Sequence, residues 1–188
     1  MFRKKQKIED LSDEDIIDLV VNKKQSDYFQ HLYLRYSKLV YNKCISLAND
    51  NDTAKDLTHD IFLKVFINLS SFKGNSKFST WLYSITYNFC INYLKKEAKP
   101  SKKTEEVKDI TDEEGDRLEQ ELLKIKVDCL QKVLNAISIE NKSILLMKYQ
   151  EEYSIREIGK ILELSESAVK MRIKRAKAQA VEMNKKLC

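Results

Sequence analysis

Ser154-Ile-Arg-Glu-Ile-Gly-Lys-Ile-Leu-Glu-Leu-Ser-Glu-Ser-Ala-Val-Lys-Met-Arg-Ile-Lys-Arg-Ala-Lys177 divides into two short helices around a tight turn, the second strongly basic. Ser154 and Glu157 have the spacing of a capping box, in which each side chain meets an N–H that a helix start leaves without a partner. Ile158, Ile161 and Leu162 recur at helical spacing, and the pattern stops at Leu164. Ser165 can cap the next helix, whose inner stripe is Val169, Ile173, Ala176 and Ala180. At about 100° per residue the opposite face carries Ser167, Met171, Lys174 and Arg175, flanked by Lys170 and Arg172. This is the layout of a helix-turn-helix, in which one helix braces and the other lays a polar, basic face into the DNA major groove. A solvated surface helix is the plainer reading, but such helices usually mix charge signs. Five of the eight residues 170–177 are basic and none is acidic, which favours DNA.

The rest of the chain suits that partner. At 188 residues, with 34% charged and 43% hydrophobic residues, it has room for one domain or two small soluble ones. Three glycines and one proline are too few for the many turns of a sheet-rich fold, and the long periodic stretches predict an all-α protein. The net charge of +5 hides an asymmetry: residues 105–121 hold nine acids and two bases, a net of −7, so the remainder carries +12. A basic body with an acidic middle segment suits contact with nucleic acid on both sides of that segment. Cysteines 44, 90, 129 and 188 form no Cys-x-x-Cys pair and stand beside only two histidines, so neither a disulfide framework nor a zinc site is expected. Cys44 and Cys90 read as small buried hydrophobes. The basic N-terminus runs into Glu9, Asp10, Asp13, Glu14 and Asp15 with no apolar stretch behind it, so neither a signal peptide nor a membrane span is read and a cytoplasmic protein is expected.

Two helical blocks follow from periodicity, residues 12–98 and 118–188, joined by a flexible linker over 99–117. Ser12 with Asp15 starts a short helix. A second runs from about Ser26 to Ala48 with Phe29, Leu32, Leu39, Val40 and Ile45 on its apolar side. Asp52 or Thr53 caps a third, with Leu57, Ile61, Phe62, Val65, Phe66 and Leu69 as core stripe. After a loop from Ser70 to Lys77 containing Gly74, Ser79 or Thr80 caps a fourth that continues to about Lys96. Pro100 ends the block, and the charged stretch to Arg117 has the composition of a linker. In the second block, Leu122, Ile125, Leu130, Val133, Leu134 and Ile137 give one helix, and Ile139 to Tyr149 another.

The segment 72–96 is unusually aromatic for a polar stretch. Leu82, Ile85, Phe89 and Tyr93 can face a core, while Ser84, Asn88 and Lys95 share the opposite side next to Trp81. Rings that stack on unpaired bases, amides that read base edges and ammonium groups that hold phosphates are what a single-stranded site needs. Trp81, Phe78 and Phe89 are better explained as core; Asn88, Lys73 and Asn75 fit the functional reading.

Ala54-Lys-Asp-Leu-Thr-His-Asp-Ile-Phe62, then Phe72-Lys-Gly74, then Thr80-Trp-Leu-Tyr-Ser-Ile85 with Asn88, resemble region two of bacterial extracytoplasmic-function (ECF) sigma factors of the sigma-70 family. Residues 154–177 resemble their region four. Order and spacing agree over nearly the whole chain. The resemblance implies a sigma factor that binds core RNA polymerase and directs promoter-specific initiation, with no catalytic residues, cofactor or metal of its own. Asp56, His59, Asp60 and Lys64 would meet the clamp helices of the β′ subunit. Phe72, Lys73 and Asn75 would surround a flipped base of the −10 element that Asn88 reads, with Lys95 and Lys96 on phosphates. Ser167, Lys170, Met171, Arg172, Lys174 and Arg175 would meet the −35 element, and the outer surface of region four would rest on the β flap. The acidic linker resembles linkers that thread polymerase channels. An anti-sigma factor is a further candidate partner; no membrane insertion is implied, and the free protein is expected to be a monomer. The chain departs from the family pattern at His59, where glutamine is usual, at Gly159, where alanine is commoner, at Glu163, where glycine is, and at Ser167-Ala168, where Gly-Thr is. Gly159 is expected to cost about 1 kcal/mol of helix stability relative to alanine. Met171 offers only apolar contact, such as with a thymine methyl.

Two other readings compete. A conventional helix-turn-helix regulator would bind duplex DNA without polymerase, usually as a dimer matched to two half-sites, and would leave residues 72–93 unexplained. A helical adaptor with merely solubilising basic surfaces would need no DNA affinity, whereas a DNA binder loses affinity steeply as salt rises.

Overall fold

The computed structural model describes residues 11–97, 117–118, 120–122 and 125–188, apart from the side chains of residues 127 and 128. The linker expected at 99–117 lies, except for Arg117, outside these residues, as do the acids Glu9 and Asp10. Every element described is helical, and the chain divides into two compact units, Met1–Cys90 and Ile91–Cys188. Among the described residues no helix is long and apolar enough to cross a membrane.

In the first unit, α1 (Asp13–Val21) opens on the expected capping box of Ser12 and Asp15. Asp13 draws it onto the second helix, accepting hydrogen bonds from the Arg35 guanidinium and the Tyr36 hydroxyl. A 3-10 turn at Ser26–Tyr28 leads into α2 (Phe29–Ala48). Asn49 closes α2 in the left-handed conformation, φ 57°, a region that asparagine enters more readily than most residues. The cap of α3 (Asn51–Asn68) is Asp50, not Asp52 or Thr53: its carboxylate accepts from the Thr53 N–H at 2.7 Å, and hydrogen bonds from the Thr53 side chain and backbone hold its pKa below the usual carboxylate value. Two residues between α2 and α3 leave room only for an antiparallel hairpin, and the start of α2 meets the end of α3, Phe29 lying 5.0 Å from Phe66. α4 (Phe78–Glu97) begins earlier than expected, with Ser79 and Thr80 inside its first turn.

Ile16, Leu32, Val40, Leu57, Ile61, Val65, Phe78 and Leu82 form the core of this unit. Each such side chain contributes roughly 1.5–3 kcal/mol through removal from water. The buried rows of α4 are Phe78, Leu82, Thr86 and Cys90 with Tyr83, Tyr87 and Ile91. The expected stripe of Leu82, Ile85, Phe89 and Tyr93 is therefore rotated from the observed one: Ile85 and Phe89 are half-buried and Tyr93 is exposed. So many apolar residues ring α4 that the pattern leaves its phase open. Leu39 and Phe66, expected inside, are exposed.

In the second unit the single helix expected through Ile137 is interrupted. Residues 117–118 and 120–122 are helical, Ile125 and Lys126 are not, and α5 (Val127–Ala136) follows. Cys129, Val133 and Ile137 are its buried side, and Leu130 faces out. α6 (Ile139–Leu145) is capped by Ser138 and loosens into a π-turn at Leu146–Gln150. α7 (Ile155–Leu162) and α8 (Glu166–Leu187) complete the unit, with α5, α6 and α7 all packed on α8. Gln179 of α8 fastens the start of α6, its side-chain oxygen accepting from the Asn141 amide at 2.7 Å and the Ser138 N–H at 3.4 Å.

Candidate nucleic-acid interface

The turn between α7 and α8 sets the second helix at its angle. Ser154 and Glu157 form the capping box, with the Ser154 N–H donating to the Glu157 carboxylate at 2.9 Å. Ser165 caps α8 by accepting from the Ala168 N–H at 3.3 Å. Between the helices Glu163 takes a left-handed conformation, φ 55°, and the Glu163 and Leu164 N–H groups both donate to the Gly159 carbonyl. That turn folds back tightly: a Cβ at Gly159 would stand 2.8 Å from the Leu164 carbonyl oxygen. Gly159 is thus required by a close backbone approach, and the expected gain from alanine is reversed. Gly159→Ala should destabilise the second unit by about 1–3 kcal/mol, because the obstacle is backbone that cannot rotate away. Glu163→Gly should stabilise it by about 0.5–1 kcal/mol by removing the left-handed penalty on a side chain. Urea unfolding of the two variants checks both signs.

Ile158, Ile161, Val169, Ile173, Ala176 and Ala180 are all buried, so the inner stripe lies where the periodicity puts it. That burial turns Ser167, Lys170, Met171 and Arg175 to solvent and leaves Arg172 and Lys174 half-exposed. Lys177 departs from the basic cluster: it is buried, with its ammonium 5.6 Å from the centre of the Tyr149 ring, a cation–π contact that keeps the charge inside the unit.

In the first unit the loop before α4 rests on an aromatic base. Phe72 is half-buried, its ring 5.7 Å from Phe78 in a perpendicular arrangement and 5.5 Å from Trp81. Phe78 itself is fully buried and Trp81 half-buried. Gly74 turns the loop with φ 71°, and its neighbours Lys73 and Asn75 are exposed. Trp81, Ser84 and Asn88 follow one ridge of α4 at steps of three and four, with Asn88 exposed and about 10 Å beyond Trp81 along the axis. Lys95 and Lys96 lie exposed in the last turn of α4, where positive charge suits the helix dipole.

Asp56, His59, Asp60 and Lys64 are all exposed on α3. Lys64 leans its ammonium toward the Phe89 ring, 5.6 Å from its centre. Beside them sits an apolar surface that periodicity did not single out: Leu63, Phe66 and Ile67 of α3 are exposed, Ile67 by 76%, and Tyr33 and Leu34 are exposed on α2. Phe29, Tyr33, Phe62 and Phe66 form a ring cluster there, with Tyr33 and Phe62 4.7 Å apart. The signal was available, since α3 carries Ile61, Phe62, Leu63, Val65, Phe66 and Ile67 almost consecutively, more apolar side chains than one buried stripe accepts. Among the described residues, no three His, Cys, Asp or Glu side chains gather where they could hold a metal ion.

Fold and surface define an all-helical protein with a basic helix-turn-helix in its second unit and an aromatic, polar loop–helix in its first. The sigma-70 region 2 model matches residues 32–99 and the sigma-70 region 4 model residues 127–179. RNA polymerase sigma factor YlaC of Bacillus subtilis is 32% identical over 163 residues, covering 83% of this chain and 91% of that protein. ECF RNA polymerase sigma factor SigW of the same organism is 28% identical over 170 residues, covering 84% and 89%. The chain belongs to the ECF group of sigma-70 factors and is a transcription initiation factor of RNA polymerase. Its fold is similar to that of CnrH, solved in complex with the cytosolic domain of CnrY (TM-score 0.63, 18% identity, 92% of this chain and 97% of that one). It is also similar to RpoE of Bartonella quintana, solved with the anti-sigma factor NepR (TM-score 0.58, 20% identity, 85% and 97%).

Proposed function

We propose that this sigma factor directs core RNA polymerase to promoters by reading two elements, the −35 duplex with α8 and an unpaired −10 base with the α4 segment, and that it assists promoter opening. The observation that carries this reading is the outward basic face of α8, held there by the buried row of Val169, Ile173 and Ala176. Ser167, Lys170, Met171, Arg172, Lys174 and Arg175 form the −35 contact. The arginines suit guanine edges and the lysines suit phosphates, while Met171 suits a thymine methyl. At the −10 element, Asn88 reads a flipped base above the Phe72–Trp81 platform, Lys73 and Asn75 border it, and Lys95 and Lys96 take phosphates.

Residues 12–98 and 118–188 act as the two promoter-binding domains, with 99–117 as linker. Asp56, His59, Asp60 and Lys64 dock on the β′ clamp helices, and the exposed Leu63, Phe66 and Ile67 extend that surface with apolar area. The second domain rests on the β flap. Acting with polymerase implies a cytoplasmic protein, a monomer when free, and the complex of RpoE with the anti-sigma factor NepR makes an anti-sigma factor a candidate regulator. Arg175→Ala should weaken binding to the −35 element by about 1–3 kcal/mol if the guanidinium reaches a base. Binding of the full-length variant to promoter and scrambled duplexes across a salt series checks this. An unchanged preference between them removes Arg175 from the reading face.

A further inference from the structure

Contrary to the sequence reading, two of the four cysteines are joined: Cys129 of α5 is bonded to Cys188, which caps the end of α8. Their Cα atoms are 6.4 Å apart, within the ordinary range for a disulfide. The spacing of 59 residues concealed the pair, because only the packing of α8 across α5 brings the two together. Cys129 is buried and Cys188 is exposed. The other two cysteines behave as expected, fully buried between α2 and α4 with their sulfurs 3.6 Å apart. That is beyond bonding distance, so they are thiols. The neighbouring sulfur and burial push the Cys90 thiol up, away from the reactive thiolate.

We infer that the Cys129–Cys188 bond is a reversible redox site, opened by a small thiol and reclosed by the corresponding disulfide, which clasps the far end of the DNA-reading helix. Exchange requires a thiolate to reach one sulfur of the bond. Only the Cys188 sulfur belongs to an exposed residue, so attack falls there. The thiolate forms a mixed disulfide with Cys188, and the electron pair of the broken bond leaves on the Cys129 sulfur, which takes up a proton. A second thiol attacks the mixed disulfide and releases Cys188 as a thiol, so two small thiols become one small disulfide while the protein gains two thiols. Reclosure reverses both steps. The proposed function enters only through the compartment it implies, a reducing one in which disulfides are transient and regulatory. The chemistry stands or falls without it.

The closed bond fastens α8 to α5 across a long loop, and its loss raises the entropy of the unfolded chain. The reading face ends at Arg175, 13 residues and about 20 Å from Cys188 along the helix. Opening should therefore lower stability while leaving duplex affinity within about twofold. The test incubates the full-length protein with oxidised or reduced glutathione, blocks free thiols with iodoacetamide in parallel samples, and analyses them by peptide mass mapping and thermal unfolding. The expected result is a linked Cys129–Cys188 peptide in oxidised glutathione and a Tm higher by about 5 °C or more. Reduced glutathione should abolish both and re-oxidation restore them, and Cys188→Ser should abolish the difference between the two conditions. A Cys44–Cys90 link in place of this one, a bond that survives millimolar thiol, or an undiminished Tm difference in Cys188→Ser would overturn the inference.

Discussion

Phe78→Ala should cost the first unit about 3–5 kcal/mol, a large part of the stability of a domain this size. Phe78 is fully buried at the start of α4, with ring contacts to Tyr36 at 5.4 Å, Phe72 at 5.7 Å and Trp81 at 5.7 Å. Truncation removes the transfer energy of the ring and leaves a cavity that three neighbours cannot close by small movements. Phe72 and Trp81 rest on it, so the platform proposed for the −10 base would loosen with the core. Phe78→Leu, which keeps most of the volume, should restore much of the loss. Urea unfolding followed by the fluorescence of Trp81, the single tryptophan of the chain, reports on this unit directly. A cost below about 1 kcal/mol would show that Phe78 is not the centre of that core.

Asn88→Ala should lower open-complex formation by about tenfold or more while leaving polymerase binding intact. The magnitude corresponds to loss of one good amide–base recognition, about 1–3 kcal/mol. Stability should change little, because Asn88 is exposed on the ridge that follows Trp81 and Ser84 and no core packing depends on it. Permanganate footprinting of unpaired thymines measures opening, and co-sedimentation with core polymerase measures binding. Loss of polymerase binding with unchanged opening per bound complex would refute the role proposed for Asn88.

The helix-turn-helix was legible because two independent signals agreed. The capping serines 154 and 165 mark where helices start, and the inner stripe from Val169 to Ala180 fixes which way α8 faces. A cap and a period together leave little freedom. α4 has the period without the phase, since aromatic and apolar residues occur on nearly every side of it, and its buried rows lie rotated from the stripe that the spacing predicts. Gly159 illustrates a different limit. Helix propensity makes it a defect, but the Leu164 carbonyl, folded back by the turn, occupies the space an alanine methyl would need. No local rule carries that information.

Charge patterning had a similar boundary. It located the basic cluster of α8, yet Lys177 turned inward to Tyr149, because position 177 follows Ala176 onto the buried side. The Cys129–Cys188 pair is wholly tertiary. The exposed apolar surface of α3 was visible only as an excess: a helix with six apolar residues between positions 61 and 67 must show some of them to water or to a partner. Asp56, His59, Asp60 and Lys64 stand out only by resemblance to a motif of charged positions, and such a motif does not mention the hydrophobic neighbours.

Promoter-directed initiation is open to a direct test: run-off transcription with bacterial core RNA polymerase on a pool of genomic promoter fragments, with and without this protein. Discrete transcripts are expected only when the protein is present, and they should weaken with Arg175→Ala and Asn88→Ala. Absence of any protein-dependent transcript, with salt-sensitive binding to duplex DNA retained, would contradict it and point to a regulator that binds DNA without polymerase.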